Sequence, residues 1–298
     1  MGIGHGTIKL LMQEALRRPL AGRVLTLGKQ DVSITQEDLE EIAADSKFPL
    51  HPSNGIDPIS TKGGSKEQRF ISDVYLLARL GFSNCKSMDY SDYEGCDYVF
   101  DLNQPDLPPH LMNAFDVVID GGTMEHVFHL PNVLRNLFNM IPVNGRIIHC
   151  SPSSNHMDHG FYMFSPTLFW DYYEANRFDI NQFVIIRHSP WPDFPWRIWE
   201  YKPGLLNGIS YGGLDGAMYA IHCVVTKNQH SLAGIIPQQR NYQEGAWKGK
   251  KELALSGSWL TAIKRGVKKS PALYRSLRSL VHFLRRRRGL SSKTATKL

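Results

Sequence analysis

Three aspartates in this chain stand where an apolar run breaks off: Asp89 in CKSMD, Asp101 in DYVFD and Asp120 in FDVVID, the last followed at once by Gly121 and Gly122. A carboxylate at a strand tip accepts two hydrogen bonds from a ribose diol, or one from an exocyclic amine, and a glycine lets backbone approach a ligand closely. Gly28, which closes the run VLTLG, belongs with them. Gathered on one edge, these residues suit a nucleoside cofactor. Their plainer role is to cap turns, but three acids on one edge beside the block GGTMEHV favour binding. A second group is His126, His129, His149, His156 and His159, imidazoles that exchange protons near neutrality. Glu125 beside His126, and the run NHMDH, are of metal-ligating types. Spacing identifies no third ligand, so a polar loop is the expectation and no metal is expected.

Such tips need strands to carry them, and the chain supplies strands alternating with helices. Residues 7–18 form an apolar face at helical spacing that Pro19 stops, and VLTLG is the first strand. Thr35 and Asp38 form a capping box that opens a helix over 36–44. Residues 46–64, rich in Pro, Gly, Ser and Asn, predict a long loop or lid, and a helix over 65–80 ends at Gly81. Three strands ending at Asp89, Asp101 and Asp120 follow, then a helix over 131–140, the strand RIIHCS, a helix opened by Ser165 and Pro166, and the strand INQFVIIR. A Trp/Pro insertion over 190–214 precedes the last strand, MYAIHCVVTK. This alternation predicts an α/β fold with a doubly wound, mostly parallel sheet.

Composition narrows the class. With 298 residues, 42% hydrophobic and 21% charged, the chain is a globular protein rather than a fibrous or disordered one. Four cysteines without a CxxC pair argue against a disulfide framework or structural zinc and fit a reducing compartment. Charge is uneven: residues 238–298 hold 16 of the 34 Lys and Arg but two of the 28 acids, Glu244 and Glu252, so the tail carries +14 and the rest −8. The expected division is a domain over 1–237 and a basic tail over 238–298. Within the tail, Leu273, Leu277, Leu280, Val281 and Leu284 recur at helical spacing among arginines, predicting a basic amphipathic helix. A solvated extension is the first reading of that tail, attachment to an anionic membrane surface the second, and nucleic acid the third. No run approaches the ~18 apolar residues of a membrane span. Charged Glu14, Arg17 and Arg18 argue against a signal peptide. The expected location is cytoplasmic, with the tail at the inner membrane surface if it binds lipid.

The blocks VLTLG, SMD, VFDLNQP, FDVVIDGGTMEHV and LPNVLRNLFNMIPVNGRIIH, within residues 20–227, resemble the class I S-adenosylmethionine-dependent methyltransferases. The resemblance implies a Rossmann-like seven-stranded sheet with helices on both faces and its final strand antiparallel. It implies S-adenosyl-L-methionine as cofactor, with Gly28 beside its methionine part and Asp89 on the ribose hydroxyls. Asp101 and Leu102 would flank the adenine, and Asp120 and Gly122, with Gly121 in the same turn, would line the methyl-donor pocket. Thr26 and Gln30 depart from the family's glycine-rich loop, which has an acid and a second glycine at those positions. The reaction implied is methylation of an oxygen or nitrogen nucleophile; the aromatic insertion and the tail suggest a glycan or small metabolite as acceptor, and His156 and His159, in a loop after a strand tip, are the candidate bases.

Two other functions remain open on the sequence. One is an RNA methyltransferase whose tail grips phosphates. The other is a non-catalytic scaffold of the same fold, supported by Thr26 and Gln30. Trp191, Trp196, Trp199 and Tyr201 serve equally as a stacking surface for a flat acceptor or as a satellite core.

Overall fold

The computed structural model describes residues 2–189, 195–210, 212–240, 290 and 295–298. Among them nine strands occur: β1 (Arg23–Leu27), β2 (Asn84–Asp89), β3 (Tyr98–Val99), β4 (Val117–Asp120), β5 (Arg146–Pro152), β6 (Asp179–His188), β7 (Arg197–Glu200), β8 (Met218–Thr226) and β9 (Thr296–Lys297). They form one mixed sheet in the order β3-β2-β1-β4-β5-β8-β6-β7-β9. The five strands from β3 to β5 are mutually parallel, and β8 runs antiparallel to both β5 and β6. The final strand of the domain is therefore antiparallel, as expected. Seven strands are corrected to nine, because β7 arises inside the Trp/Pro segment and β9 adds to its edge. Neither carries a sequence period long enough to read: β7 is four residues beside prolines, and β9 is two.

Helices α1 (His5–Arg17), α2 (Gln36–Asp45), α3 (Gly63–Glu67), α4 (Asp73–Arg79), α5 (Leu130–Met140) and α6 (Pro166–Ala175) connect the strands. The expected helix over 65–80 is two short helices, since Arg69 takes a left-handed φ of 58° and Ser72 opens a new cap on Tyr75 N–H. The capping box of α2 forms as read: Thr35 and Asp38 each accept the other's backbone N–H. The strand expected to close on Asp101 ends instead at Val99. There the Asp101 carboxylate captures the N–H of Asn103 at 2.9 Å and turns the chain away from the sheet.

Strand residues alternate between the two faces. Val24, Val117, Ile119, Ile148 and Val224 pack with α1, α2 and α4. Leu25, Leu27, Val118, Ile147 and Val225 pack with α5 and α6. Helices thus cover both faces, and the central strands are mostly apolar, as a doubly covered sheet requires. None of the described helices is long and apolar enough to cross a membrane. Trp199 and Tyr201 are buried, and Tyr201 packs against Trp170 and Phe183 with ring centroids 5.9 and 4.9 Å away. Trp191 and the predicted amphipathic helix of the tail lie outside the described residues.

Two buried polar contacts lock this frame. Beneath the sheet, Arg146 at the start of β5 donates to Glu14 of α1 at 2.8 Å, to Arg18 O at 2.9 Å and to Pro19 O at 2.6 Å. Above it, at the carboxyl end of β4, fully buried Asp120 accepts from Thr123 N–H (3.0 Å) and Met124 N–H (3.2 Å) with Oδ1. Its Oδ2 pairs with His149 Nδ1 (2.9 Å) and accepts from Ser151 Oγ (3.2 Å), both on β5. His149 Nε2 pairs in turn with the Tyr173 hydroxyl of α6 at 2.6 Å. Burial alone would raise the Asp120 pKa, but the His149 hydrogen bond and charge and the two amides hold it below the ordinary carboxylate value.

Glu14→Ala leaves the Arg146 guanidinium buried without its counter-charge and should cost about 3 kcal/mol in urea unfolding, more than Glu14→Gln. Tyr173→Phe strands a ring nitrogen of His149 and should cost about 1–3 kcal/mol. An unchanged midpoint for Tyr173→Phe would show that the hydroxyl does not complete the network.

Candidate active site

Strand order reverses between β1 and β4, so the crevice beyond their carboxyl ends is where an open α/β sheet takes a ligand. Leu27 and Asp120 are register partners there, and each is followed by a glycine. Gly28 has φ +72°, and a Cβ on it would sit 3.1 Å from Thr123 Oγ1 and 3.7 Å from Asp89 Oδ2. Gly28 is thus closely approached by side chains at the point where the tips of β1, β2 and β4 converge. Thr123 is held there by its hydroxyl, which donates to Leu27 O at 2.6 Å. Asp89 is half-buried and steadied by Tyr90 N–H on Oδ1 at 2.6 Å.

Gln30 explains how this loop holds its shape without the family's second glycine. Its side-chain amide donates to Leu27 O at 2.7 Å and to Gly28 O at 3.3 Å, while its N–H donates to Asp73 Oδ2 at 3.0 Å. Asp73 lies in the first turn of α4, so the β1 loop is tied to a helix start. A Cβ on Gly121 would collide with the Gln30 side-chain carbonyl, so any larger residue there would push the Gln30 amide off its bonds to the β1 loop. Lys62 spans the rim: its ammonium contacts Lys29 O, Asp31 and Glu94, each at 2.9 Å. The far end of the 46–64 segment is thereby strapped across the loops after β1 and β2.

The remaining cofactor-side residues are more dispersed. Asp101 is committed to its own turn, accepting from Asn103 N–H, the Asn103 amide and the Gln104 amide, which holds its pKa below the usual carboxylate range. The Leu102 side chain is buried in the core beside α5. Asp120 points inward as described, and Gly122, with φ +105°, carries the chain from it to Thr123.

A second cluster lies beyond β4 and β5. Glu125, in a single 3₁₀ turn (Met124–His126), is 0% exposed, and neither carboxylate oxygen has a hydrogen-bond partner. Its Oε1 faces His159 Nε2 at 3.6 Å and His126 Nε2 at 3.9 Å. The loop after β5 is brought here by backbone contacts. Gly160 lies so close that a Cβ would be 2.9 Å from Glu125 O, Tyr162 N–H donates to Glu125 O, and the Tyr162 hydroxyl donates to Phe128 O. His156 stands 5.9 Å from His159 and 5.4 Å from His188 between ring centroids. The Nε2 atoms of both His156 and His188 are buried without a partner.

Electrostatics follow from this burial. The Glu125 carboxyl is pushed up to about 7, by burial first and by the nearby Asp120 charge second. Burial and then the charge of His159 lower His126 and His156, and burial takes His188 down to about 4. The site thus collects one buried carboxyl and four imidazoles beside the glycine loop. His156 and His159, read from the sequence, fall within it. Glu125 as the centre, His188 and Thr123 did not emerge from spacing, although GGTMEHV contains two of the three.

No protein-family model and no curated protein matches the chain. Solved structures similar to it include TehB from Haemophilus influenzae, 12% identical with a TM-score of 0.33, over 52% of this chain and 53% of that one. The chain thus spans about half the length of TehB. YcgJ from Bacillus subtilis is 12% identical with a TM-score of 0.39, over 76% of this chain and 99% of that one. A 1,6-didemethyltoxoflavin-N1-methyltransferase from Burkholderia thailandensis, solved with 1,6-didemethyltoxoflavin and S-adenosylhomocysteine, is 12% identical with a TM-score of 0.34, over 76% of this chain and 78% of that one. At scores and identities this low, strand order and site geometry carry the functional reading.

Proposed function

We propose that this chain is an S-adenosylmethionine-dependent methyltransferase acting on an oxygen or nitrogen nucleophile of a glycan or small metabolite. The observation that carries the reading is the meeting of Gly28, Asp89 and Thr123 at the β1/β4 switch point. A backbone cradle that a Cβ would fill stands there beside a carboxylate, as a nucleoside's ribose requires. When bound, S-adenosylmethionine supplies an electrophilic methyl group whose carbon–sulfur bond breaks as the bond to the nucleophile forms, leaving S-adenosylhomocysteine.

Asp89 would hold the ribose hydroxyls, and Gly28 would admit the chain of the cofactor past the backbone. Beyond β4 and β5, His159 faces Glu125 and His156 stands next to His159, and this is the side the reading leaves for the acceptor. The proton lost by an attacking hydroxyl or amine passes to one of these imidazoles, and the rest of the catalytic work is alignment. The basic tail suits an anionic surface, which would bring the enzyme to a membrane-held acceptor.

Calorimetric titration of the full chain with S-adenosylhomocysteine should show one site. Asp89→Ala should weaken it by about tenfold or more, the worth of a charge-assisted hydrogen bond. Asp106→Ala, an exposed change in the loop after β3, should leave it unaltered. Absence of heat from the unsubstituted chain would overturn the reading in favour of a scaffold. For the tail, flotation with phosphatidylserine vesicles should fall when residues 257–298 are removed, and equal flotation of both forms would reject the membrane assignment.

A further inference from the structure

The carboxyl of Glu125 presents a physical problem. It is fully buried, neither oxygen is hydrogen-bonded, and two imidazoles point at one of those oxygens from distances too long for hydrogen bonds. A buried carboxylate without partners costs several kcal/mol, so such a group either keeps its proton or has a cation bound to it. No donor from another residue serves Glu125; only its own N–H faces the carboxylate. Its surroundings, Gly160, Tyr162 and the 3₁₀ turn, are packed so as to bring His159 over it.

From this geometry we infer a site for one divalent transition-metal ion of the zinc class, ligated by Glu125, His126 and His159. The three ligand atoms lie within 4.8 Å of one another. Bonds of about 2.0–2.2 Å to a shared ion need them within about 4 Å. Two of the separations, 3.6 and 3.9 Å, already meet that, and a small rotation of an exposed imidazole supplies the rest. Two imidazoles and one carboxylate form a donor set for zinc, cobalt, manganese or ferrous ions rather than calcium or magnesium. Glu125 closes the site from the core, while the His126 and His159 side chains are 48% and 38% exposed. Remaining coordination positions therefore open outward, the arrangement of a metal that meets a substrate rather than one that staples a fold. His156, at 5.9 Å from His159, stands outside the ligand set and keeps its ring for a proton.

This inference leaves His156 alone as the proton acceptor of the methyltransferase reading, does not otherwise rest on that reading, and is tested without the cofactor. Full-length chain stripped with chelator is titrated with Zn²⁺ by calorimetry, and with Co²⁺ by visible absorption. One ion per chain should bind, the melting temperature should rise with Zn²⁺, and Co²⁺ should develop ligand-field bands. Glu125→Gln and His159→Gln should each weaken Zn²⁺ by about tenfold or more and abolish the Co²⁺ spectrum, whereas His230→Gln, an exposed change elsewhere, should not. If Glu125→Gln fails to fold, His159→Gln decides, because its side chain is exposed and its loss leaves the core intact. No stoichiometric binding, or binding unaffected by His159→Gln, would overturn the site. Titration of the stripped protein with S-adenosylhomocysteine reports separately on the cofactor cleft, so failure of one assignment is distinguishable from failure of the other.

Discussion

The carboxylate of Asp120 organises this end of the molecule. It ends β4, is sealed from solvent, and accepts from two amides of the following turn while facing a histidine and a serine of the neighbouring strand. An ionised carboxylate in such a place is tolerable only when its lone pairs are filled, and here they are filled by groups on both sides of the sheet tip. The direction taken by the chain after β4 follows from this. Thr123 is delivered to the Gly28 loop, and Glu125 is delivered to the histidines. The two halves of the candidate site are positioned by one buried anion.

Much of the frame was legible from local chemistry. Apolar runs broken by carboxylates marked β2 and β4, the Thr35/Asp38 pair marked the start of α2, and alternation of element types marked a doubly wound sheet. What could not be read locally is which way a side chain turns. Asp89 and Asp120 look alike in sequence, each closing a strand. Asp89 lies beside Gly28, while Asp120 is claimed by His149 and Ser151 across the sheet and, through His149, by Tyr173 from a helix. Asp101 differs again, because Asn103 and Gln104 offer it closer donors than any ligand would. The meeting of Glu125 with His159 depends on the packing of the loop after β5 against the turn after β4, which spacing along the chain does not report.

Gln30 shows how a departure from a motif is absorbed. The resemblance calls for glycine there, and a side chain at that position would seem to block the loop. Instead the amide folds under the loop and donates to Leu27 O and Gly28 O, doing with a side chain what the absent glycine does by conformational freedom. Its bulk leaves room for a Cβ on Gly121 only if the Gln30 amide moves. Thr26 likewise sits buried within β1, its hydroxyl turned to Lys86 O of the adjacent strand.

The strap formed by Lys62 has a different character from the anchor at Asp120. One ammonium serves Asp31, Glu94 and the carbonyl of Lys29 from a partly exposed position, so its hold combines hydrogen bonds with charge at contact distances well inside the ~8 Å Debye length of physiological electrolyte. Rising ionic strength weakens the more exposed of these pairs modestly and does not reach the sealed anion beneath. The mouth of the crevice is thus adjustable by the surrounding medium, while its floor is not.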